Sequence, residues 1–167
     1  MTQTSDQPEI ITTGKYAGEG HTALRHGRAS LTGQIYHVST TTICRSRLFA
    51  DFRMGCVAAR CFESRTTLVD AQMLAWVLMP DHVHWLIQLG EKTTLDTLVS
   101  RLKATSARNV NQISHRTGAV WARAYHDHAL RSDEDLASVA RYIVANPLRA
   151  GLVKSVAHYP FWNAIFL

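Results

Sequence analysis

The stretch WVLMPDHVHWLIQL, residues 76–89, places Pro-Asp between two apolar segments and puts two histidines in the second of them. Pro-Asp is a typical chain reversal, so the stretch predicts a hairpin of two strands. Side chains alternate along a strand, and His82 and His84 therefore share a face opposite the apolar face that begins with Val83. The two imidazoles are expected about 7 Å apart along the strand, close enough to converge on one metal ion.

The segments around this hairpin predict the remaining elements. Residues 33–43 are rich in β-branched side chains and predict a strand, residues 68–79 form an apolar run typical of a strand covered on both faces, and residues 120–130 predict another strand. Helical periodicity marks residues 51–65, 93–116 and 133–146, with capping pairs Thr93–Asp96 and Ser132–Asp135. This order predicts an α+β sandwich, with helices packed on a mainly antiparallel sheet.

Length and composition predict one globular domain with a basic surface. The chain has 167 residues, a net charge of +5 and a pI near 9.4, which suits a polyanionic partner, although many basic proteins bind none. Residues 1–22 are polar and predict a flexible tail, with the domain over 23–167. The three cysteines form no CxxC pair, and no segment is long enough to span a bilayer, so we expect a cytoplasmic protein.

Neither histidine pair is decisive by itself. The chain has nine histidines, so an H-x-H pattern arises readily by chance, and a second one occurs at His126 and His128. A histidine on a strand is more often a hydrogen-bonded structural residue than a metal ligand. In the second pair, Asp127 is available to hold one imidazole in a surface ion pair.

Tyr142 and Asn146 are separated by four residues in the last predicted helix, so they are expected on one side of it, beside the apolar stripe. From there both side chains would reach toward the sheet. The alternative is that Tyr142 lies at the edge of the core while Asn146 caps the helix before Pro147. The proline also disfavours helical backbone at Asn146, which would loosen the four-residue geometry.

Two segments together resemble a known family. MPDHVHWLIQL (79–89) and RYIVANPLRAGLV (141–153) are similar to the REP-associated tyrosine transposases, which are HUH single-tyrosine nucleases. The first contains the family's His-hydrophobic-His motif, which His126-Asp127-His128 lacks, and the second contains Y-x-x-x-N-P-x-R-A-G-L-V without a gap. The resemblance extends from about Leu24 to the carboxyl end and includes YHVSTTT (36–42). It implies a ferredoxin-like (RRM-like) antiparallel sheet with the HUH motif on a central strand.

The resemblance also implies a site and an activity. Tyr142 would be the nucleophile, and His82, His84 and Asn146 would bind a divalent metal, Mg²⁺ or Mn²⁺. The implied activity is metal-dependent nicking and strand transfer of single-stranded DNA at palindromic, REP-like hairpins through a covalent 5′-phosphotyrosine. Such a protein would be cytoplasmic and nucleoid-associated in a bacterium, and whether it is a monomer or a homodimer is open.

Basic residues near these motifs are candidates for DNA phosphate contacts, although each alone also fits an ordinary solvated charge: Arg149, Lys154, Arg123, Arg141, Arg101, Lys103 and Arg108. Two other functions are considered. One is a non-catalytic hairpin-binding protein with the same fold, and the other is a metal-dependent hydrolase that uses water. The first would bind hairpins without metal, and the second would survive the loss of Tyr142.

Overall fold

The structure is a computed structural model that describes residues 30–167, so the tail predicted at 1–22 lies outside the described residues. Within this range five antiparallel strands form one sheet in the order β4-β1-β3-β2-β5. The strands are β1 (Ile35–Thr41), β2 (Gln72–Met79), β3 (His82–Gln88), β4 (His126–Ala129) and β5 (Trp162–Ala164). β3 is the middle strand, so the first histidine pair lies at the centre of the sheet.

Helices connect and cover these strands. They are α1 (Phe52–Phe62), α2 (Arg65–Leu68), α3 (Leu95–Ser114), α4 (Leu136–Val144) and α5 (Asn146–Arg149), together with single 3₁₀ turns at Ile43–Arg45, Leu48–Ala50 and Val156–His158. The order β1-α1-β2-β3-α3-β4 with sheet order β4-β1-β3-β2 is the ferredoxin-like arrangement, to which β5 adds an edge strand. The predicted α+β fold is confirmed. None of the helices described is long and apolar enough to cross a membrane.

The predicted hairpin joins β2 to β3. Met79 pairs with His82 across the Pro80–Asp81 turn, and Trp76 pairs with Trp85 farther along. The side chains of β2 from Met73 to Met79 are all buried, which confirms that both faces of this strand are covered.

One face of the sheet packs against α1 and α3. The Phe62 ring from α1 meets Trp76 and Trp85 edge-on, with ring centroids 5.5 and 5.2 Å apart. Trp121 also lies against Trp85, and its indole N–H donates to the Ser106 hydroxyl of α3 at 2.9 Å. Because Trp85 points into this layer, the alternating His84 points to the other side of the sheet.

The second face carries α4. This helix contacts β2, β3 and β5, and its apolar residues Ala140, Ile143 and Val144 are buried. Since α1 and α3 occupy the opposite face, α4 lies on the side of the sheet that carries His84. The fold thus brings the last predicted helix to the face of the histidine pair.

The structure corrects the predicted ends of two strands. The strand predicted over 68–79 begins at Gln72, because the residues before it form α2 and Val69 then adopts a left-handed φ of 62°. The strand predicted over 120–130 is confined to His126–Ala129. Before it, Trp121 makes only an isolated bridge, and the carbonyls of Ala122 and Arg123 accept hydrogen bonds from the Lys103 ammonium.

The predicted helix caps are also corrected. The cap of α3 is Thr94, whose hydroxyl accepts the N–H of Thr97, and not Thr93. The cap of α4 is Asp135, whose carboxylate accepts two N–H groups of the first turn, so Ser132 lies outside the helix. α3 ends at Ser114, two residues before the end of the predicted helix, because His115 adopts a left-handed φ of 52°.

Candidate functional site

Histidines cover the sheet face opposite α1 and α3. Paired residues share a face, and Ser39 of β1 pairs with His84 on one side and with His126 on the other, while His37 pairs with His128. Among the described residues, this face therefore carries the side chains of five histidines, which are His37, His82, His84, His126 and His128.

His82 is held by the residue that precedes it. Its Nδ1 lies 2.6 Å from Oδ1 of Asp81, and both side chains are about three-quarters buried. Burial acts to raise the pKa of Asp81, but hydrogen bonds and charge from His82 and Arg45 outweigh it, and the pKa is lowered. A carboxylate only accepts hydrogen bonds, so His82 donates its Nδ1–H and turns Nε2 away from Asp81.

His84 is held by a histidine from the neighbouring strand. Its Nδ1 lies 3.0 Å from Nε2 of His37, and both rings are partly buried. Burial lowers the pKa of His84 to about 3, with further contributions from the charges of His37, His82 and Arg149. Burial also lowers the pKa of His37, as does the charge of His128. His84 is therefore neutral at physiological pH, which leaves a lone pair for a metal ion.

Tyr142, Asn146 and Arg149 form a second cluster. The Arg149 guanidinium carbon lies 3.8 Å from the centre of the Tyr142 ring, and Nη1 donates to the Tyr142 carbonyl at 2.7 Å. Nη2 donates to Oδ1 of Asn146 at 2.9 Å. The Tyr142 side chain is 59% exposed, so its hydroxyl is open to a large substrate. Arg149 thus holds the tyrosine ring and the asparagine oxygen at once.

The helix is interrupted just before Pro147, the proline that was expected to disfavour helical backbone at Asn146. α4 ends at Val144, Ala145 takes φ −79° and ψ 0°, and Asn146 begins α5 with Pro147 following. The Asn146 amide nitrogen donates to the Ile143 carbonyl at 2.7 Å. The capping role considered for Asn146 is therefore present, while its oxygen faces Arg149 and remains available on its second lone pair.

Arg149 connects the two clusters. Its charge is one of the causes that lower the pKa of His84, so the guanidinium lies close enough to act on that imidazole. The same guanidinium lies over the Tyr142 ring. The helix that carries Tyr142, α4, packs on the face of the sheet that bears the histidine pair.

The donor set fits a divalent cation. In both histidines of β3 the Nδ1 atom takes part in a hydrogen bond, so Nε2 is the ring nitrogen that does not face Asp81 or His37, and Asn146 has an amide oxygen. In residues 30–167 no group of three or more His, Cys, Asp or Glu side chains is arranged to hold a metal ion. A third protein ligand beside His82 and His84 would therefore have to come from another residue type.

The second histidine pair is engaged differently. His128 Nε2 lies 2.9 Å from a carboxylate oxygen of Glu134, an acidic partner that the sequence had not indicated. The N–H of Arg131 also donates to that carboxylate, and together with His128 it lowers the pKa of Glu134. These hydrogen bonds hold the loop between β4 and α4 against β4.

The predicted DNA-contacting residues occupy several surfaces. Arg149 and the exposed Arg141 lie beside Tyr142, and Arg141 contacts Asp135 and Ser138. Lys154 is exposed after α5, and Arg123 is exposed before β4. The remaining three, Arg101, Lys103 and Arg108, lie on α3 behind the sheet. There Arg101 donates to the Thr67 carbonyl and Lys103 to the loop before β4. The structure places the Arg149 guanidinium against the Tyr142 ring, and Arg141 precedes the tyrosine in α4.

Sequence reasoning missed His37 and Asp81 as site residues. His37 lies in the segment YHVSTTT, and Asp81 lies in the turn of the hairpin. Asp81 immediately precedes His82, and this adjacency was a usable signal for a carboxylate partner on one imidazole. His37 was not recognisable, because its contact with His84 depends on the register of two strands 47 residues apart.

Comparisons of the sequence with known proteins all find transposases. Residues 30–146 match the model of the family described as "Transposase IS200 like". The REP-associated tyrosine transposase of Escherichia coli K12 is 32% identical over 91 residues, 52% of this chain and 50% of that protein. A Haemophilus influenzae protein provisionally given the same name is 32% identical over 100 residues, 54% of this chain and 57% of its own length. The matches thus span about half the length of these relatives.

A solved structure shares the fold. It is described as a REP-associated tyrosine transposase bound to a REP hairpin, and it superposes with a TM-score of 0.63 at 23% identity, covering 83% of this chain and 81% of the other. A transposase-like protein of Deinococcus radiodurans R1 gives a TM-score of 0.51 at 23% identity, covering 71% of this chain and 95% of the other.

Proposed function

The chain belongs to the IS200-like transposase family, and from this we propose that it nicks and rejoins single-stranded DNA through Tyr142. The observation that supports this most directly is the position of Arg149, over the exposed Tyr142 ring and within electrostatic reach of His84. A nucleophile and a pair of imidazoles on one sheet face are the parts that phosphodiester transfer needs.

Tyr142 is proposed as the nucleophile. Its phenolic oxygen attacks the phosphorus, the bond from phosphorus to the 3′-oxygen breaks, and the phenol's proton ends on the freed 3′-hydroxyl. The product is a 5′-phosphotyrosine. Because the ester conserves the bond energy, the same or another 3′-hydroxyl can attack it, restore the phenol and reseal a strand. The Arg149 guanidinium is placed to stabilise negative charge on the ring and on the phosphate.

His82, His84 and Asn146 are the proposed ligands of a divalent metal, Mg²⁺ or Mn²⁺. When bound, such a cation supplies positive charge at a non-bridging phosphate oxygen. His84 is neutral at physiological pH because burial lowers its pKa to about 3, and the Nδ1 of His82 is held by Asp81. Release of the Asn146 oxygen from Arg149 would leave the guanidinium free for the phosphate.

The proposed substrate is a DNA hairpin with an adjoining single strand. Relatives are named for REP elements, and the solved structure of similar fold holds a REP hairpin. Arg149 and Arg141 are proposed to contact the phosphates nearest Tyr142. For Arg101, Lys103 and Arg108 behind the sheet, and for Arg123 and Lys154, a contact with a longer DNA segment is a weaker proposal.

Formation of a covalent adduct tests the function. A pool of labelled oligonucleotides that fold as hairpins with randomised stems and flanks is incubated with the protein and Mn²⁺, and adducts are resolved on a denaturing gel. We expect an adduct with the wild type and with Tyr125→Phe as matched control, and none with Tyr142→Phe or after addition of EDTA.

Two outcomes contradict the proposal in different ways. An adduct that persists in Tyr142→Phe would reject this nucleophile. Hairpin binding that is unaffected by EDTA or by His82→Ala, with no adduct at all, would instead indicate a non-catalytic hairpin-binding protein of the same fold.

A further inference from the structure

His37 is the partner of His84, and nothing in the proposed reaction assigns it a role. It lies on β1, two residues before Ser39, and Ser39 is the residue that pairs with His84 on β3. Its Nε2 lies 3.0 Å from Nδ1 of His84, with ring centroids 5.2 Å apart and the rings tilted by 36°. Both rings are partly buried, so solvent competes weakly for this hydrogen bond.

A hydrogen bond between two neutral imidazoles has two possible arrangements. Either His84 donates its Nδ1–H to His37, or His37 donates its Nε2–H to His84. In the first arrangement His84 has a lone pair on Nε2 and can bind a metal ion there. In the second, the Nε2 of His84 carries the proton and cannot be a ligand.

The neighbouring histidine indicates which arrangement applies. Asp81 can only accept, so His82 carries its proton on Nδ1 and presents Nε2. The rings of His82 and His84 are 5.1 Å apart. A shared ion requires the same tautomer of His84, with the proton on Nδ1. An isolated neutral imidazole favours the opposite tautomer, with the proton on Nε2, so a partner must hold it.

We propose that His37 is a positioning residue that accepts the Nδ1–H of His84 and so fixes the Nε2 of His84 as a metal ligand. This inference rests on the proposed function for the identity of the ligand, but the tautomer it requires exists without metal. His37 then carries its own proton on Nδ1. The two ligands are thus oriented from different directions, His82 by a carboxylate of its own turn and His84 by a ring on the adjacent strand.

The tautomers are measured on the metal-free protein. Long-range ¹H–¹⁵N correlation spectra of the full chain at pH 7.5 in EDTA distinguish protonated from unprotonated ring nitrogens. We expect His84 to be protonated on Nδ1 in the wild type and in His37→Gln, whose amide oxygen replaces the accepting Nε2. We expect His37→Leu to shift His84 toward the Nε2-protonated form. His158→Leu, at an exposed histidine, is the control and leaves the spectrum of His84 unchanged.

Affinity for Mn²⁺ gives the second readout. By electron paramagnetic resonance without DNA, we expect His37→Leu to weaken binding about 10- to 100-fold and His37→Gln to recover most of the loss. A merely structural role would not produce this rescue. Circular dichroism verifies folding, and if His37→Leu is unfolded, His37→Gln and His37→Asn carry the comparison, with Asn expected to lose the acceptor.

The outcomes separate this inference from the proposed function. Nε2-protonated His84 in the wild type, or a tautomer and Mn²⁺ affinity unchanged in folded His37→Leu, would overturn the role of His37. Loss of Mn²⁺ binding together with retained strand transfer would contradict the proposed metal dependence and leave the tautomer result standing.

Discussion

Acidification from pH 7 to pH 5 is expected to destabilise the metal-free protein through His84. Burial and the nearby charges lower the pKa of this imidazole to about 3 in the folded chain, whereas an unfolded histidine titrates near about 6.5. Above pH 6.5 both states are neutral at this position. Between 6.5 and 3 the unfolded chain binds a proton that the folded chain does not, so the free energy of unfolding falls as pH falls.

The size of the effect follows from proton linkage. One differential proton changes the free energy of unfolding by about 1.4 kcal/mol per pH unit, and the partial titration near 6.5 makes the drop from pH 7 to pH 5 about 2 kcal/mol. This figure hardly changes if the folded pKa is one unit higher. The lowered pKa of His37 adds to the fall in the same direction. Carboxylates with lowered pKa values, such as Asp81, contribute stability that is lost only at lower pH. They therefore change the free energy of unfolding little between pH 7 and pH 5.

The assay is urea unfolding in EDTA, followed by tryptophan fluorescence at several pH values. His84→Asn is the informative variant, because its side-chain amide can still donate to His37 but does not titrate. We expect its stability to fall by about 2 kcal/mol less than that of the wild type between pH 7 and pH 5. His158→Asn, at an exposed imidazole that is solvated in both states, is expected to follow the wild type. Identical pH dependence in wild type and His84→Asn would refute the reasoning.

Three further changes test separate parts of the structure. Gly55→Ala would place a methyl group against the Phe161 ring, and we expect a loss of about 1–3 kcal/mol by urea unfolding. Asp51→Ala removes the cap of α1 and is expected to cost about 1 kcal/mol, whereas Asp51→Asn, which keeps an accepting oxygen, costs a small fraction of that. Arg149→Lys cannot cover the Tyr142 ring while bonding two acceptors, so we expect adduct formation to slow about tenfold or more in single-turnover assays, with folding unchanged. An unchanged rate would show that Arg149 does not organise the tyrosine.

Local chemistry explains why the hairpin and the helices could be predicted. The apolar run of β2, the Pro80–Asp81 turn and the stripe of α3 each depend on residues adjacent in sequence, and each lies where predicted to within a few residues. The errors lie at the ends of helices and strands, where a single hydrogen bond can determine which residue is the first or the last. Thr94 replaced Thr93 as a cap because its hydroxyl reaches the N–H of Thr97.

The contacts within the candidate site depend on long-range geometry. Arg149 lies over Tyr142 because the chain passes from α4 into α5 at Ala145. Pro147 indicated that the helix would be interrupted, but not the direction that the chain takes afterwards. The strand predicted over residues 120–130 failed for a similar reason. Lys103 and Thr40 bind the carbonyls that a longer β4 would have needed, and they come from distant segments.

The arrangement of hydrogen-bond partners distinguishes the two histidine pairs better than their spacing does. In the first pair, His82 and His84 meet partners through Nδ1, and both have Nε2 left for a common ligand. In the second pair, His128 gives its Nε2 to Glu134, the atom that a metal would otherwise take. The spacing of the histidines is the same in both pairs, so the middle residue and the partners of the ring nitrogens separate a candidate metal site from a histidine that is hydrogen-bonded to a loop carboxylate. A metal ion that bound His128 in preference to His84 would contradict this distinction.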